Sequence, residues 1–126
     1  MPPTPTVLLI DDDPSQLKLY RWILERGSFA VVQALVGGSS VDLPDSAEVS
    51  VDVVLLDYRL SSQLTAAEIA DLVRARFPNV PIIVLSDLPF IPEEAKIYSS
   101  GFVQKGEPEK LLKTVAAAVT LWQSKR

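Results

Sequence analysis

The sequence predicts an α/β domain built around a parallel sheet, and three observations carry that expectation. Short apolar runs alternate with segments of helical period along the whole chain. The runs are unbroken stretches of Val, Ile and Leu rather than alternating ones, as strands covered on both faces require. Acidic and hydroxyl residues stand at the ends of these runs, not inside them.

Taken in order, Val7 to Ile10 is the first strand. Asp13-Pro14 then reads as an N-cap followed by a proline in the first helical position, opening a helix to about Arg26 that stops at Gly27. Its apolar stripe is Leu17, Tyr20, Ile23 and Leu24. Phe29 to Ala34 is a second strand. Val36 to Ser50 holds two adjacent glycines, Pro44 and several serines, so a short or irregular second helix is expected there. Val51 to Leu56 is the third strand and ends at Asp57. Thr65 and Glu68 form the pattern of a capping box, predicting a helix through Ile69, Leu72 and Val73 that ends before Pro78. Ile82 to Leu85 is the fourth strand, Glu93 to Ser99 a short helix after Pro92, and Gly101 to Gln104 the fifth strand. Pro108 opens a last helix with the stripe Leu111, Val115, Ala118, Val119 and Trp122. Residues 1–6 are expected to be a disordered lead-in, and residues 7–124 the folded domain.

Composition narrows the chemistry. With 126 residues, 48% of them apolar, the chain suffices for one domain with one sizeable core. It has no cysteine and no histidine, which removes disulfides, thiolate metal sites, Ser-His triads and most zinc sites. Carboxylates, hydroxyls, lysine and a hard cation remain. A net charge of −4, with no basic cluster before the last two residues, argues against nucleic acid as a direct partner. The first six residues carry no basic group and no 18-residue apolar run occurs, so the chain reads as soluble and cytoplasmic with no membrane partner.

The polar residues converge. Asp11 and Asp12 end the first strand, Asp57 the third and Ser86 the fourth, and Lys105 follows the fifth. In a parallel sheet these carboxyl ends share one edge, and ligands bind where the strand order reverses. A five-stranded, doubly wound sheet of flavodoxin-like order 2-1-3-4-5, with helices on both faces, puts the reversal between the first and third strands. Asp11, Asp12 and Asp57 then meet at the crevice, with Ser86 and Lys105 on its other side. Unit charges ~5 Å apart at an effective dielectric of 20 repel by roughly 3 kcal/mol, so such carboxylates call for a hard cation such as Mg²⁺. One oxygen of Asp57 is then left as a nucleophile, with the cation, Lys105 and Ser86 to stabilise an arriving phosphoryl group. Taken singly, each residue has a plainer role: Asp13 as an N-cap, Asp11 and Asp12 as solvated loop acids, Ser86 in a turn, Lys105 in solvent.

As a group these motifs resemble the receiver domain of response regulators. The resemblance rests on Leu8-Leu9-Ile10-Asp11-Asp12, Val53-Val54-Leu55-Leu56-Asp57, Pro81-Ile82-Ile83-Val84-Leu85-Ser86 and Gly101-Phe102-Val103-Gln104-Lys105, and spans about residues 6–122. It implies that Asp57 accepts phosphate from a phosphohistidine on a sensor histidine kinase or histidine phosphotransfer protein. It also implies that Asp12 and Asp57 bind Mg²⁺ directly, Asp11 largely through water, and that the Arg59 backbone carbonyl completes the site. Ser86 would move toward the phosphoryl oxygens and Lys105 pair with one of them. Phe102 would be either a switch aromatic or ordinary core. The signal would reach an unknown output protein through a surface of this domain, usually the face of the fourth and fifth helices, or through sequence outside this chain.

The chain departs from the family pattern at several positions. Asp87 stands where a small residue usually borders the phosphoryl pocket, and its charge is expected to oppose incoming phosphate. Gly106 replaces the proline that usually follows the lysine, so a trans bond is expected after Lys105. Ser61-Ser62-Gln63-Leu64 replaces the usual loop after the phosphoacceptor. Two other functions stay open on the sequence: a receiver-fold interaction module that signals without phosphorylation, and a small haloacid-dehalogenase-like phosphatase, imitated by Asp11-x-Asp13-x-Ser15.

Overall fold

The computed structural model describes residues 4–60 and 63–124. The elements are β1 (Thr6–Asp11), α1 (Pro14–Arg26), β2 (Ala30–Gly37), β3 (Ser40–Val41), β4 (Val53–Asp57), α2 (Ala66–Arg76), β5 (Ile82–Ser86), a 3₁₀ helix (Glu93–Ile97), β6 (Gly101–Gln104) and α3 (Pro108–Ser124). They form one sheet of order β3-β2-β1-β4-β5-β6, in which all pairings are parallel except β2 with β3.

Side-chain alternation along the strands builds two cores. On one face Val7, Leu9, Val53, Leu55, Ile83 and Leu85 pack under α1 and α3. On the other, Leu8, Ile10, Val54, Leu56 and Ile82 pack under α2. The strand ends are therefore fixed from both sides.

The helix boundaries follow their caps. Asp13 Oδ1 accepts the Ser15 N–H at 2.9 Å and starts α1 with Pro14 behind it. Thr65 and Glu68 close a reciprocal capping box at α2. At the end of α1, Ser28 N–H bonds Glu25 O and Phe29 N–H bonds Leu24 O, both at 3.1 Å, which is a Schellman closure. Its left-handed residue is Ser28 (φ 70°), not the glycine. Gly27 answers a different need, since a Cβ there would meet Leu112 Cδ2 at 2.5 Å.

Two expectations about the sheet and its cover are corrected. The sheet has six strands, not five, because the chain turns after Gly37 and adds β3 antiparallel to β2. No helix forms in the segment expected to hold a short or irregular second one. Gly37 and Gly38 (φ 55°) favour a tight turn there over helix propagation. The loop that follows supplies Leu43 and Val51 to cover Ala34 and Val36, so the apolar face is closed without a helix. Arg76 pins it to α2 by donating to Leu43 O at 2.7 Å. Asp52 clasps the start of β1, its Oδ2 accepting the Thr6 N–H at 2.9 Å. The expected helix after Pro92 is the five-residue 3₁₀ helix. Among the described residues no helix is long and apolar enough to cross a membrane.

Candidate functional site

The order reverses between β1 and β4, where chain connections leave in opposite directions, and the carboxyl ends of those strands open onto the crevice so formed. Asp11, Asp12 and Asp57 each offer an oxygen there, all within 4.8 Å of one another. Asp11 and Asp57 are buried, and Asp12 is half-buried. The sequence brings them together because Asp11 terminates β1 and Asp57 terminates the neighbouring β4, with Ile10 paired to Leu56 one position before.

Each acid is held differently. Asp11 Oδ1 accepts the backbone N–H groups of Asp12 at 2.7 Å and Asp13 at 3.1 Å, which fixes the turn leaving β1. Asp57 Oδ1 lies 3.1 Å from Lys105 Nζ. The contact is an ion pair whose angles fall outside those of a good hydrogen bond. A buried carboxylate oxygen left so poorly satisfied fits a site made for a cation. Hard oxygen donors with no nitrogen or sulfur suit Mg²⁺.

Electrostatics agree. Burial, and then the charge of Asp57, push the Asp11 carboxyl up to about 7. Burial also raises Asp57, against the pull of Lys105. Burial works to lower Lys105, but the charge of Asp57, its contact with the ammonium and the charge of Asp11 together outweigh it, and the ammonium is held above its ordinary value. Without a cation, the cluster carries more negative charge than its one lysine can balance.

The other expected residues fall around this centre. Ser86 is fully buried at the end of β5 and its Oγ accepts the Leu88 N–H at 3.1 Å, which leaves the hydroxyl proton to be donated. Lys105 is carried by the exit of β6, its own N–H bonded to Ser86 O at 2.7 Å. The bond to Gly106 is trans, and Gly106 takes φ 90°, a conformation that proline cannot adopt. Phe102 lies on β6 opposite Val84 and is half-buried, between the exposed and the core alternatives. Arg59 follows in the exposed loop after β4. Of the altered loop, Ser61 and Ser62 lie outside the described residues. Asp13 caps its helix and is exposed, so it does not take part in the cluster.

Two contacts were not expected from the sequence. The Arg59 side chain pairs with Asp87, Nε to Oδ1 at 3.3 Å. Tyr58, next to the candidate phosphoacceptor, hydrogen-bonds Glu94 of the 3₁₀ helix, and this bond raises the Tyr58 hydroxyl and lowers Glu94. The first follows from the register between β4 and β5. Asp57 pairs with Leu85, so two residues beyond each, Arg59 stands across from Asp87.

The model of the response regulator receiver domain family matches residues 7–116. The chain belongs to that family. Among solved structures it is similar to the chemotaxis protein CheY4 of Vibrio cholerae, at 22% identity over 92% of this chain and 99% of that one, with a TM-score of 0.72. A receiver domain protein of Clostridium thermocellum is 19% identical over 97% and 99% of the two chains, with a TM-score of 0.74. A CheY-like receiver domain protein of Methanospirillum hungatei is 16% identical over 98% and 100%, with a TM-score of 0.76. At these identities the likeness speaks for the receiver fold. No curated protein sequence matches the chain. Receiver domains are signalling domains rather than classical enzymes, and they generally bind Mg²⁺ at an acidic site.

Proposed function

We propose that this receiver domain is the phosphoacceptor of a two-component system, taking a phosphoryl group onto Asp57 in a Mg²⁺-dependent reaction. The observation that carries this reading is the cluster of Asp11, Asp12 and Asp57 with Lys105 set against Asp57. The donor is a phosphohistidine on a sensor histidine kinase or histidine phosphotransfer protein in the cytoplasm. The output partner reads the surface that changes with phosphorylation.

Asp11, Asp12, Asp57 and the Arg59 backbone carbonyl would hold the cation. Bound there, Mg²⁺ supplies positive charge against the carboxylates and the phosphoryl oxygens. An Asp57 carboxylate oxygen attacks phosphorus, forming the O–P bond as the P–N bond breaks, and the electron pair returns to the imidazole nitrogen. Asp57 has to be ionised for this, and Lys105 favours that form. As the phosphoryl group arrives, Lys105 can exchange its contact with Asp57 for one with a phosphoryl oxygen, and Ser86 can donate its hydroxyl proton to another. Ser86 ends β5 and Lys105 follows β6 directly, so their rearrangement is passed to Phe102 on β6 and the surface beside it.

Beryllofluoride, which mimics a phosphoryl group on a carboxylate, tests the reading without any kinase. With Mg²⁺ present it should raise the melting temperature of the wild type further than Mg²⁺ alone, and leave Asp57→Asn at the Mg²⁺-only value. A wild type that responds to Mg²⁺ but not to beryllofluoride would favour a receiver-fold module that signals without phosphorylation.

A further inference from the structure

Asp57 and Ser86 are both buried at the floor of the crevice, and the next exposed residues on the two chain exits are Arg59 and Asp87. Their ion pair at 3.3 Å joins the loop after β4 to the loop after β5. The side chains are 59% and 61% exposed, so the pair adds little to stability. Its placement matters more. Beneath it the site already carries three acids against one lysine, and an anionic phosphodonor has to come in over this rim. An Asp87 carboxylate turned inward would add a fourth negative charge in the donor's path. Held on the guanidinium, it is neutralised and kept at the rim, while its backbone carbonyl is steadied by the Gln104 amide at 3.5 Å.

We infer that Arg59 restrains Asp87, so that the Arg59–Asp87 pair governs how readily an anionic phosphodonor reaches Asp57. The inference rests on the proposed phosphoacceptor role for its donor, but its electrostatic core does not. Arg59 is a positioning residue in this scheme: it acts on the donor through Asp87. Release of the carboxylate should hinder an anion and at the same time favour a cation at the acidic cluster. A merely structural role for Arg59 would weaken both.

The test uses wild type, Arg59→Ala, Asp87→Ala and the double variant. Loading from acetyl phosphate in excess Mg²⁺ is followed by intact mass; the Asp57 oxygen displaces acetate, which leaves with the electron pair of its P–O bond. Mg²⁺ affinity is measured separately by thermal shift without a phosphodonor. Arg59→Ala should load roughly three- to five-fold more slowly at low salt, bind Mg²⁺ more tightly, and approach wild type in loading at high salt. Asp87→Ala alone should stay within about two-fold of wild type, because its charge is already cancelled. Adding Asp87→Ala to Arg59→Ala should recover most of the lost rate and reverse the gain in Mg²⁺ affinity. Asp87→Ala acting by one factor in both backgrounds would overturn the inference, since the two charges would then act independently. A fall of both loading and Mg²⁺ affinity in Arg59→Ala would overturn it too. If the wild type binds Mg²⁺ yet forms no adduct, the phosphoacceptor reading fails, and the Mg²⁺ affinities of the four proteins still decide whether Arg59 restrains Asp87.

Discussion

Strands β1, β4 and β5 are covered on both faces and end in Asp11, Asp57 and Ser86, whereas β2 lies toward the outside with most of its residues exposed or half-exposed and ends in a glycine turn. The first group of strands is held by helices above and below. The second is closed on one face by a loop, a two-residue strand and a few apolar side chains. No member of the acidic cluster comes from β2, so that side of the sheet can change its cover without moving the carboxylates. The chemistry here depends on the ends of β1 and β4, which flank the switch point, and of β5 beside them, and constrains the outlying β2 little.

The comparison can be broken by mutation. Leu56→Ala removes a fully buried side chain beside Asp57 and should cost about 4 kcal/mol in urea unfolding, whereas Leu43→Ala in the covering loop, where the cavity can collapse, should cost about 2 kcal/mol. Equal losses would show that the loop packs as firmly as the helices.

The acidic cluster should give the next largest effect. Mg²⁺ binds the native arrangement of Asp11, Asp12 and Asp57 and not the unfolded chain, so at 100-fold excess over its dissociation constant it should stabilise by ~2.7 kcal/mol. Asp12→Asn should lose most of that gain in thermal unfolding. A wild-type melting temperature indifferent to millimolar Mg²⁺ would contradict the metal site.

Without Mg²⁺, pH sharpens the same contrast. The folded pKa of Asp11 is raised from 3.8 to about 7, so between those values the native state binds more protons than the unfolded one. Stability contributed in this way is present in acid and lost as pH rises. The metal-free domain should therefore lose on the order of 2 kcal/mol between pH 5 and pH 8, and Mg²⁺ should flatten the profile. Rising stability over that interval without metal would mean that the carboxylates repel less than their burial implies.

The smallest effect lies at the end of α1. Ser28 holds a left-handed conformation that glycine adopts without strain, so Ser28→Gly should stabilise by about 0.5 kcal/mol. The same measurement on Gly27→Ala should show a loss, because its Cβ would press on Leu112.

Much of this was legible in the chain. Unbroken apolar runs identify β1, β4 and β5, and the acids at their ends identify the crevice, because burial on both faces and strand-end chemistry leave local marks. Asp13 and Thr65 marked two helix starts for the same reason. What was not legible depends on tertiary choices. Val36 to Ser50 has no strong local preference, and the β3 hairpin wins there through pairing with β2 and the Arg76 bond to Leu43. The left-handed Ser28 was hidden by a neighbouring glycine that suggested the usual cap. The Arg59–Asp87 pair needed the β4–β5 register, which the strand boundaries alone do not give.

The most direct test of the account is the mass of the intact protein after treatment with acetyl phosphate and Mg²⁺. The wild type should gain one adduct of about 80 Da, mapped to Asp57, that is absent without Mg²⁺ and absent from Asp57→Asn. A wild type that stays unmodified, or an adduct that persists on Asp57→Asn, would contradict it.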